Sequence, residues 1–218
     1  MNVRFITVLS SALSFLPVFS SAANLSSFDL RSPDGRIELR VRTRGQVRYD
    51  LLLNGRAVME NSTLSLEVEH NRLGLDAKVV DAKTSSFDQL FEPVVRQKFA
   101  KIHDQHNELR LTMEGGYAVV FRVYNQGAAY RWETTLGNRQ VKVYGEEALF
   151  NFPTNFVVYY PQEDSFYSHN ERKYLPQHLN EITPQFLATL PAVIDVGQGA
   201  KLAIAESGAS CTNVAFMQ

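Results

Sequence analysis

The chain has 218 residues, of which 44% are hydrophobic, and a formal net charge of −1 at pH 7. This composition is that of a globular protein and excludes the basic character that is typical of nucleic-acid-binding domains. The single cysteine, Cys211, excludes an internal disulfide and a multi-cysteine zinc site, and we expect it to be a small buried side chain.

The first residues have the features of a secretory signal peptide. Arg4 supplies a short positive region, and the apolar stretch "FITVLSSALSFLPVF" that follows is too short to span a bilayer comfortably. The small residues of "SSAAN" then suit cleavage near Ala22. We therefore predict a removed signal at residues 1–22, a domain at residues 23–218 and a periplasmic or secreted protein. No later stretch predicts a membrane span.

The next part of the chain has strand patterns at the spacing of about ten residues that is typical of an all-β sandwich or barrel. The strand "RIELRVRT" follows the turn Ser32-Pro33-Asp34-Gly35. The strands "QVRYDLLL" and "RAVM" meet at Asn54-Gly55, which strongly predicts a two-residue hairpin. "TLSLEVEH" and "AKVVDAKTSSFDQLF" continue the pattern, and no segment has a sustained helical period.

The segment from His106 to Glu133 predicts a three-stranded antiparallel meander. Apolar and polar residues alternate in "ELRLTM" and again in "VVFRVY", so each strand has one apolar face. Gly115-Gly116 and Asn125-Gln126-Gly127 predict the two turns. The polar face predicts contact with solvent or with a polar ligand.

The last part of the chain contains the strand patterns "QVKVYG", "FVVYYP", "TLPAVIDV" and "AKLAIAES". Between Pro161 and Pro184 we expect an irregular loop with at most one helical turn. The chain reaches Gln218 soon after "AKLAIAES" with no evident closing element, and this predicts a fragment of a longer protein. A sandwich without its last strands would expose unpaired edges.

Few side-chain patterns suggest chemistry. His103 and His106 are three residues apart, but in a strand this spacing places them on opposite faces, so it does not favour a metal site. We expect the adjacent carboxylates Glu146-Glu147 and Glu163-Asp164 to be solvated. No spacing favours a catalytic triad, and the sequence does not show which carboxylates could face each other across a sugar.

Glu206 is the more informative carboxylate. It ends the apolar strand "AKLAIA" and precedes Ser207-Gly208, where the chain leaves the sheet. This position allows Glu206 to reach a ligand or a cation, although it also suits an ordinary surface glutamate.

The stretches "RSPDGRIELRV", "HNELRLTM", "FRVYNQGAAYRWE" and "LAIAESG" occur in an order and spacing that resemble the N-terminal domain of glycoside hydrolase family 97. That family comprises bacterial α-glucosidases and α-galactosidases, and the resemblance covers the chain from about Phe28 onward. The chain departs from the family after Glu206, where "SCTNVAFMQ" replaces a pattern with aspartate and proline, and at Ala205, where the family has histidine.

The resemblance implies an antiparallel β-super-sandwich of the galactose-mutarotase-like type, followed in the family by a (β/α)8 barrel with the catalytic carboxylates. It maps Glu206 onto a strand-end glutamate that helps to hold calcium in the barrel's active site. We therefore expect no catalytic residue in this chain, calcium only in a full-length parent, and a carbohydrate substrate, an α-glucoside or α-galactoside. The alternative is a free-standing carbohydrate-binding or structural β-sandwich; an active mutarotase-like enzyme would rest on fold analogy alone.

Overall fold

A computed structural model of the chain describes residues 26–95, 98–137, 140–165, 167, 169, 171–206 and 213–217. In this part of the chain it has sixteen strands and one 3-10 helix, Leu179–Glu181, in keeping with a sequence in which no segment has a sustained helical period. The strands are β1 Ser27–Arg31, β2 Ile37–Arg42, β3 Val47–Leu53, β4 Arg56–Val68, β5 Asn71–Leu73, β6 Val79–Phe91, β7 Ile102–Met113, β8 Tyr117–Tyr124, β9 Gly127–Thr134, β10 Val143–Ala148, β11 Val157–Glu163, β12 Tyr174–His178, β13 Leu187–Ala188, β14 Ala192–Gly197, β15 Ala200–Glu206 and β16 Asn213–Met217.

The strands form two sheets. One has six strands in the order β1-β2-β3-β4-β10, with β5 also paired to β4. The other has ten strands in the order β12-β11-β14-β15-β16-β9-β8-β7-β6, with β13 paired to β11. The sheets contact each other through β2 against β8 and β9 and through β1 against β7. The predicted antiparallel all-β sandwich is thus confirmed.

The hydrophobic core lies between the two sheets. Alternate residues of each strand face inward, so Val41 of the smaller sheet and Leu111 and Leu202 of the larger sheet are completely buried. Phe121 is the largest fully buried side chain, and its ring centre lies 6.5 Å from that of Tyr130. We call the opposite surface of the ten-stranded sheet, which faces away from the core, its outer face.

The predicted turns form as expected. Asn54 and Gly55 have φ angles of 51° and 79°, the left-handed pair that a two-residue hairpin requires. Gly115 and Gly116 likewise have positive φ, and β7, β8 and β9 pair in register as the predicted meander.

The β6–β7 hairpin is longer than the strand beside it. β7 pairs with β8 only from His106 to Met113, whereas its pairing with β6 continues to Phe91 and Ile102. Residues 88–105, of which 88–95 and 98–105 are described, therefore extend beyond the sheet as a two-stranded ribbon, which we call the arm.

Two expectations about the last part of the chain are wrong. The segment from Pro161 to Pro184 contains the end of β11 and the whole of β12, which pair with each other, as well as the 3-10 helix. A closing element also follows "AKLAIAES", because β16 lies between β15 and β9 and pairs with both. The edges expected to be open there are thus paired.

Two other expectations fall outside the described residues: the signal peptide at residues 1–22 and the burial of Cys211. Among the residues that are described, no helix has the length and apolar character needed to cross a membrane.

Candidate functional site

Glu206 is the last residue of β15, as the sequence predicts, and it is exposed. It is two and four residues beyond Ile204 and Leu202, which are buried, so by strand alternation Glu206 lies at the rim of the core-facing surface. Its register partner on β16 is Asn213. Within the described ranges no three His, Cys, Asp or Glu side chains are placed to hold a metal ion together. Glu206 can therefore offer one carboxylate ligand, and this part of the chain does not complete a site around it.

Glu163, the last residue of β11, lies at the same edge of the ten-stranded sheet as Glu206. β11 and β15 run in the same direction because each pairs antiparallel with β14, and Tyr159, Val193 and Ala203 are level with one another. Two strand spacings, about 10 Å, therefore separate the backbones near Glu163 and Glu206. Tyr160, Pro161 and Glu163 are buried and Gln162 is exposed, so the regular alternation of β11 is interrupted at Pro161. Glu163 is completely buried whereas Glu206 is exposed, so the two carboxylates do not form a pair that faces one bond.

The expectation that Glu163-Asp164 is solvated is wrong for Glu163. The side chain of Asp164 is 86% exposed, whereas that of Glu163 is completely buried. Arg172 joins them, because its Nε donates to Glu163 Oε2 at 3.1 Å and its Nη2 donates to Asp164 Oδ2 at 3.0 Å. Glu163 Oε1 is buried, and no described residue donates a hydrogen bond to it. A buried carboxylate needs a cationic partner, and Arg172 supplies it from the following segment.

The other adjacent pair, Glu146-Glu147, is exposed as expected, but both carboxylates have structural partners. Glu146 accepts a hydrogen bond from the Tyr130 hydroxyl at 2.9 Å. Glu147 accepts from Thr63 Oγ1 at 2.6 Å and from Gln46 Nε2 at 2.9 Å. These two bonds, that from Thr63 first, hold the pKa of Glu147 below its ordinary value. The hydrogen bonds of Glu146 and Glu147 therefore link β10 to the neighbouring parts of the chain.

His103 and His106 lie on opposite faces of β7, as the sequence predicts. The side chain of His103 is 55% exposed and that of His106 only 1%. His106 lies on the outer face between the rings of Phe87 and Tyr124, with ring centres 4.7 and 4.8 Å away. Its Nδ1 is 2.6 Å from Asp104 Oδ1, and its buried Nε2 has no hydrogen-bond partner among the described residues. The two histidines cannot share a metal ion.

The polar side of the meander is an ion-pair network on the outer face. Arg122 Nε donates to Glu108 Oε2 at 2.7 Å, and Glu133 pairs with both Arg110 and Arg131. These side chains also cover small apolar residues of β8: Ala118 and Val120 are buried although they point away from the core. Both carboxylates of the network are paired with arginines, which leaves one more arginine than glutamate and the buried Arg131 Nε without a hydrogen-bond partner among the described residues.

The Glu133 network predicts a loss of stability in acid. Burial raises the pKa of Glu133, but the hydrogen bond from Arg110 and the charges of Arg131 and Arg110 outweigh it, so the pKa lies below its ordinary value of 4.5. A carboxyl whose pKa falls on folding stabilises the native state above the unfolded pKa and ceases to do so as pH falls through the folded value.

We therefore expect Glu133→Gln to lower the urea midpoint at neutral pH, with the difference from the unmodified chain shrinking as pH falls below 4.5. Glu114→Gln is the matched control, because that carboxylate is 64% exposed in its pair with Lys78. A difference that stays constant down to the lowest pH tested would contradict the assignment.

Two of the sequence stretches noted above hold the sheets together. The backbone N–H of Asp34 donates to Asn125 Oδ1 at 2.9 Å, and Arg36 Nη2 donates to the Asn125 carbonyl at 3.2 Å. Burial raises the pKa of Asp34, but hydrogen bonds from Ser32 and Arg36 outweigh it and lower that pKa overall. The "SPDGR" turn of the smaller sheet is thus fastened to the β8–β9 turn of the larger one.

The sequence does not predict the ion pair of Glu163 or the hydrogen bond of Tyr174, because both depend on contacts between residues that are separated along the chain. Arg172 and Glu163 are separated by the segment expected to be irregular, and the Tyr174 hydroxyl donates to the Pro191 carbonyl at 3.0 Å across the same region. The one sequence feature that points to the ion pair is the arginine that follows two carboxylates in "EDSFYSHNER".

Comparison with known proteins identifies relatives for nearly the whole domain. The family model described as Glycosyl-hydrolase 97 N-terminal matches residues 30–218. The retaining alpha-galactosidase of Bacteroides thetaiotaomicron is 28% identical over 190 residues, which are 83% of this chain and 28% of that protein. The chain therefore spans less than a third of that relative.

Solved structures show the same fold. A glycoside hydrolase family 97 enzyme from Pseudoalteromonas sp. strain K8, in complex with acarbose, matches with a TM-score of 0.71 at 19% identity over 87% of this chain and 32% of that chain. A beta-arabinopyranosidase matches with a TM-score of 0.73 at 21% identity over 88% of this chain and 35% of that chain. Each of these proteins is about three times as long as the segment it shares with this sandwich.

Proposed function

The chain belongs to the family of N-terminal domains of glycoside hydrolase family 97. From this membership we propose that it is the carbohydrate-associated domain of an exported α-glycosidase, either an α-glucosidase or an α-galactosidase. The observation that carries the proposal is the family match over residues 30–218, which includes the strand that ends in Glu206. The relatives are a retaining alpha-galactosidase and family 97 enzymes much longer than this chain, which supports a domain that works beside a catalytic one.

The proposed contribution of the domain to catalysis is one carboxylate ligand for calcium. Ca²⁺ takes six to eight oxygen ligands, mostly carboxylates, carbonyls and waters. Glu206 fits this role because it is charged, exposed and held at a strand end, where the sheet fixes its backbone. The remaining ligands would come from the catalytic barrel of a longer polypeptide, and the (β/α)8 barrel is thus the proposed intramolecular partner.

Hydrolysis would also belong to the barrel. Glycoside hydrolysis needs two carboxyl groups that face each other across the scissile bond, about 5–9.5 Å apart depending on the stereochemical course. The two carboxylates at the Glu206 end of the sheet do not meet this requirement, because Glu163 is completely buried in its ion pair with Arg172 whereas Glu206 is exposed. The domain would position calcium and leave proton transfer and bond cleavage to the barrel.

We therefore expect the purified 218-residue chain to release no nitrophenol from nitrophenyl α-glucoside or α-galactoside, with or without calcium. The Bacteroides thetaiotaomicron alpha-galactosidase, assayed in parallel, is the positive control for the galactoside. The same preparation should show no tight calcium site by calorimetry, because one exposed carboxylate cannot replace six ligands. Turnover that copurifies with the folded chain, and that a heat-denatured sample loses, would contradict the proposal.

A further inference from the structure

A cavity of about 270 Å³ opens between the two sheets, at the end of the sandwich where β7 turns into β8. The end of β4 and the short strand β5 form one wall, and the β7–β8 turn and the end of β9 form the other. Pockets for drug-sized ligands measure about 300–1,000 Å³, so a cavity just below this range has room for one smaller molecule.

The walls of the cavity combine apolar and polar side chains. Three of each kind contribute: Val68, Leu73, Leu136, Glu69, Asn71 and Thr134. Glu69 Oε1 accepts a hydrogen bond from the Lys142 backbone N–H at 3.0 Å, and Asn71 Nδ2 donates to the Glu69 carbonyl at 3.3 Å. Among the described residues no donor takes Glu69 Oε2 or Asn71 Oδ1, so both oxygens can accept from a ligand.

Two donors at the inner side of the cavity lack an acceptor. Tyr117 lines the cavity, and its hydroxyl accepts from the Gly74 backbone N–H at 3.2 Å. Burial raises the pKa of Tyr117, so the hydroxyl keeps its proton, for which the described residues offer no acceptor. Trp132 lies beside Tyr117 and on the same face of β9 as Thr134, and its buried Nε1 has no hydrogen-bond partner in the described part of the chain. Buried polar groups are nearly always hydrogen-bonded, so these donors point to an occupant that accepts.

The chemistry of the lining favours a neutral ring with several hydroxyl groups. Each hydroxyl can donate to a carboxylate or amide oxygen and accept from a phenol or an indole N–H, and the C–H faces of a pyranose can pack on aliphatic side chains. An anion would lie against the Glu69 carboxylate. A purely apolar molecule would leave the polar groups of the lining unpaired.

We propose that this cavity binds one neutral sugar ring, with its hydroxyl groups bonded to Glu69, Asn71 and Thr134 and its C–H face against Leu73 and Leu136. The inference deepens the proposed association of the domain with carbohydrate, and it rests on that proposal only for the class of sugar.

The cavity is separate from the proposed calcium ligand. Glu206 pairs with Asn213 on β16, which by register is level with Tyr130 on β9. Thr134 is four residues beyond Tyr130, so about 13 Å along the strand and two strand spacings of about 5 Å separate it from Glu206. A 218-residue chain that binds no sugar would therefore leave the calcium proposal standing, and a Glu206 that binds no calcium would leave the cavity its sugar.

Tryptophan fluorescence of the 218-residue chain tests this inference. Trp132 is the one tryptophan of the sequence, and its ring centre lies 6.1 Å from that of Tyr117. Titration with D-glucose and D-galactose should give a saturable change for at least one of them, with a Kd on the order of 1 mM, as expected for a small polar ligand.

A pair of double variants assigns the response to the cavity. Asn71→Leu combined with Thr134→Val removes an amide and a hydroxyl at nearly constant volume and should weaken binding at least about tenfold. Asn180→Leu combined with Thr84→Val makes the same two changes at exposed residues outside the cavity and should leave binding unchanged. Both double variants should melt near the temperature of the unmodified chain, because none of the four side chains is in the core.

Amide NMR spectra of the unmodified chain add a measurement that needs no variant. Saturating sugar should shift the amide signals of residues 68–74, 115–117 and 134–136 and leave those of β1 and β12 in place. The absence of a saturable response to either sugar would mean that only water fills the cavity and would overturn the proposal. Equal affinity in the two double variants, or tighter binding of toluene than of either sugar, would overturn it as well.

Discussion

Glu206→Gln, introduced into a family-length polypeptide that carries this domain, is expected to remove calcium dependence and to lower kcat/KM by at least about 100-fold. Even residues that only support a metal ligand typically change affinity or activity by about 10–100-fold when they are mutated, so loss of a direct carboxylate ligand should cost no less. Glutamine keeps the length of the side chain and its carbonyl oxygen but removes the charge that calcium favours.

The measurement is turnover of a nitrophenyl α-glycoside during a calcium titration, with Glu114→Gln as the matched control. Glu114 is an exposed carboxylate in the β7–β8 turn, at the same end of the sandwich, and it pairs with Lys78. In the absence of calcium both variants should melt at the temperature of the unmodified protein, because neither side chain lies in the core. If Glu206→Gln leaves calcium affinity and turnover unchanged, Glu206 is an ordinary surface glutamate.

Leu111→Ala is expected to destabilise the sandwich by about 2–5 kcal/mol, the range for deleting a buried leucine side chain. Leu111 is completely buried on the core face of β7, the first strand of the meander. Because a domain of this kind has a total stability of about 5–15 kcal/mol, the substitution would remove a large part of it.

Urea unfolding measures this effect, and Leu149→Ala is the control with the same chemical change at a residue that is 47% exposed. The control should stay within about 0.5 kcal/mol of the unmodified chain, as surface substitutions usually do. Equal losses in the two variants would mean that the core does not lie between the two sheets as described.

The parts of the fold that the sequence predicts are those set by neighbouring residues. Asn54-Gly55 and Gly115-Gly116 supply the positive φ angles of their turns, and strict alternation in "ELRLTM" assigns each side chain of β7 to a face. The same alternation places His103 and His106 on opposite faces of β7, as the structure shows. These features follow from local stereochemistry.

The parts that the sequence does not predict depend on distant contacts. β16 is recognisable as a strand only through its partners, since Val214 pairs with Ala129, far away along the chain, and with Ala205. Glu163 is buried because Arg172 returns to it from a segment with little pattern. For Glu206, the local pattern predicts the strand end, but the proposed calcium site depends on ligands that these residues do not supply.

The most direct test of the account is a crystal structure of a family-length polypeptide with this domain, grown with calcium and examined by anomalous scattering. We predict a calcium ion with a Glu206 carboxylate oxygen at about 2.3–2.6 Å, the normal Ca–O distance, and its other ligands from the barrel. A fully coordinated calcium ion that excludes Glu206, or a Glu206 carboxylate that contacts only solvent, would contradict it.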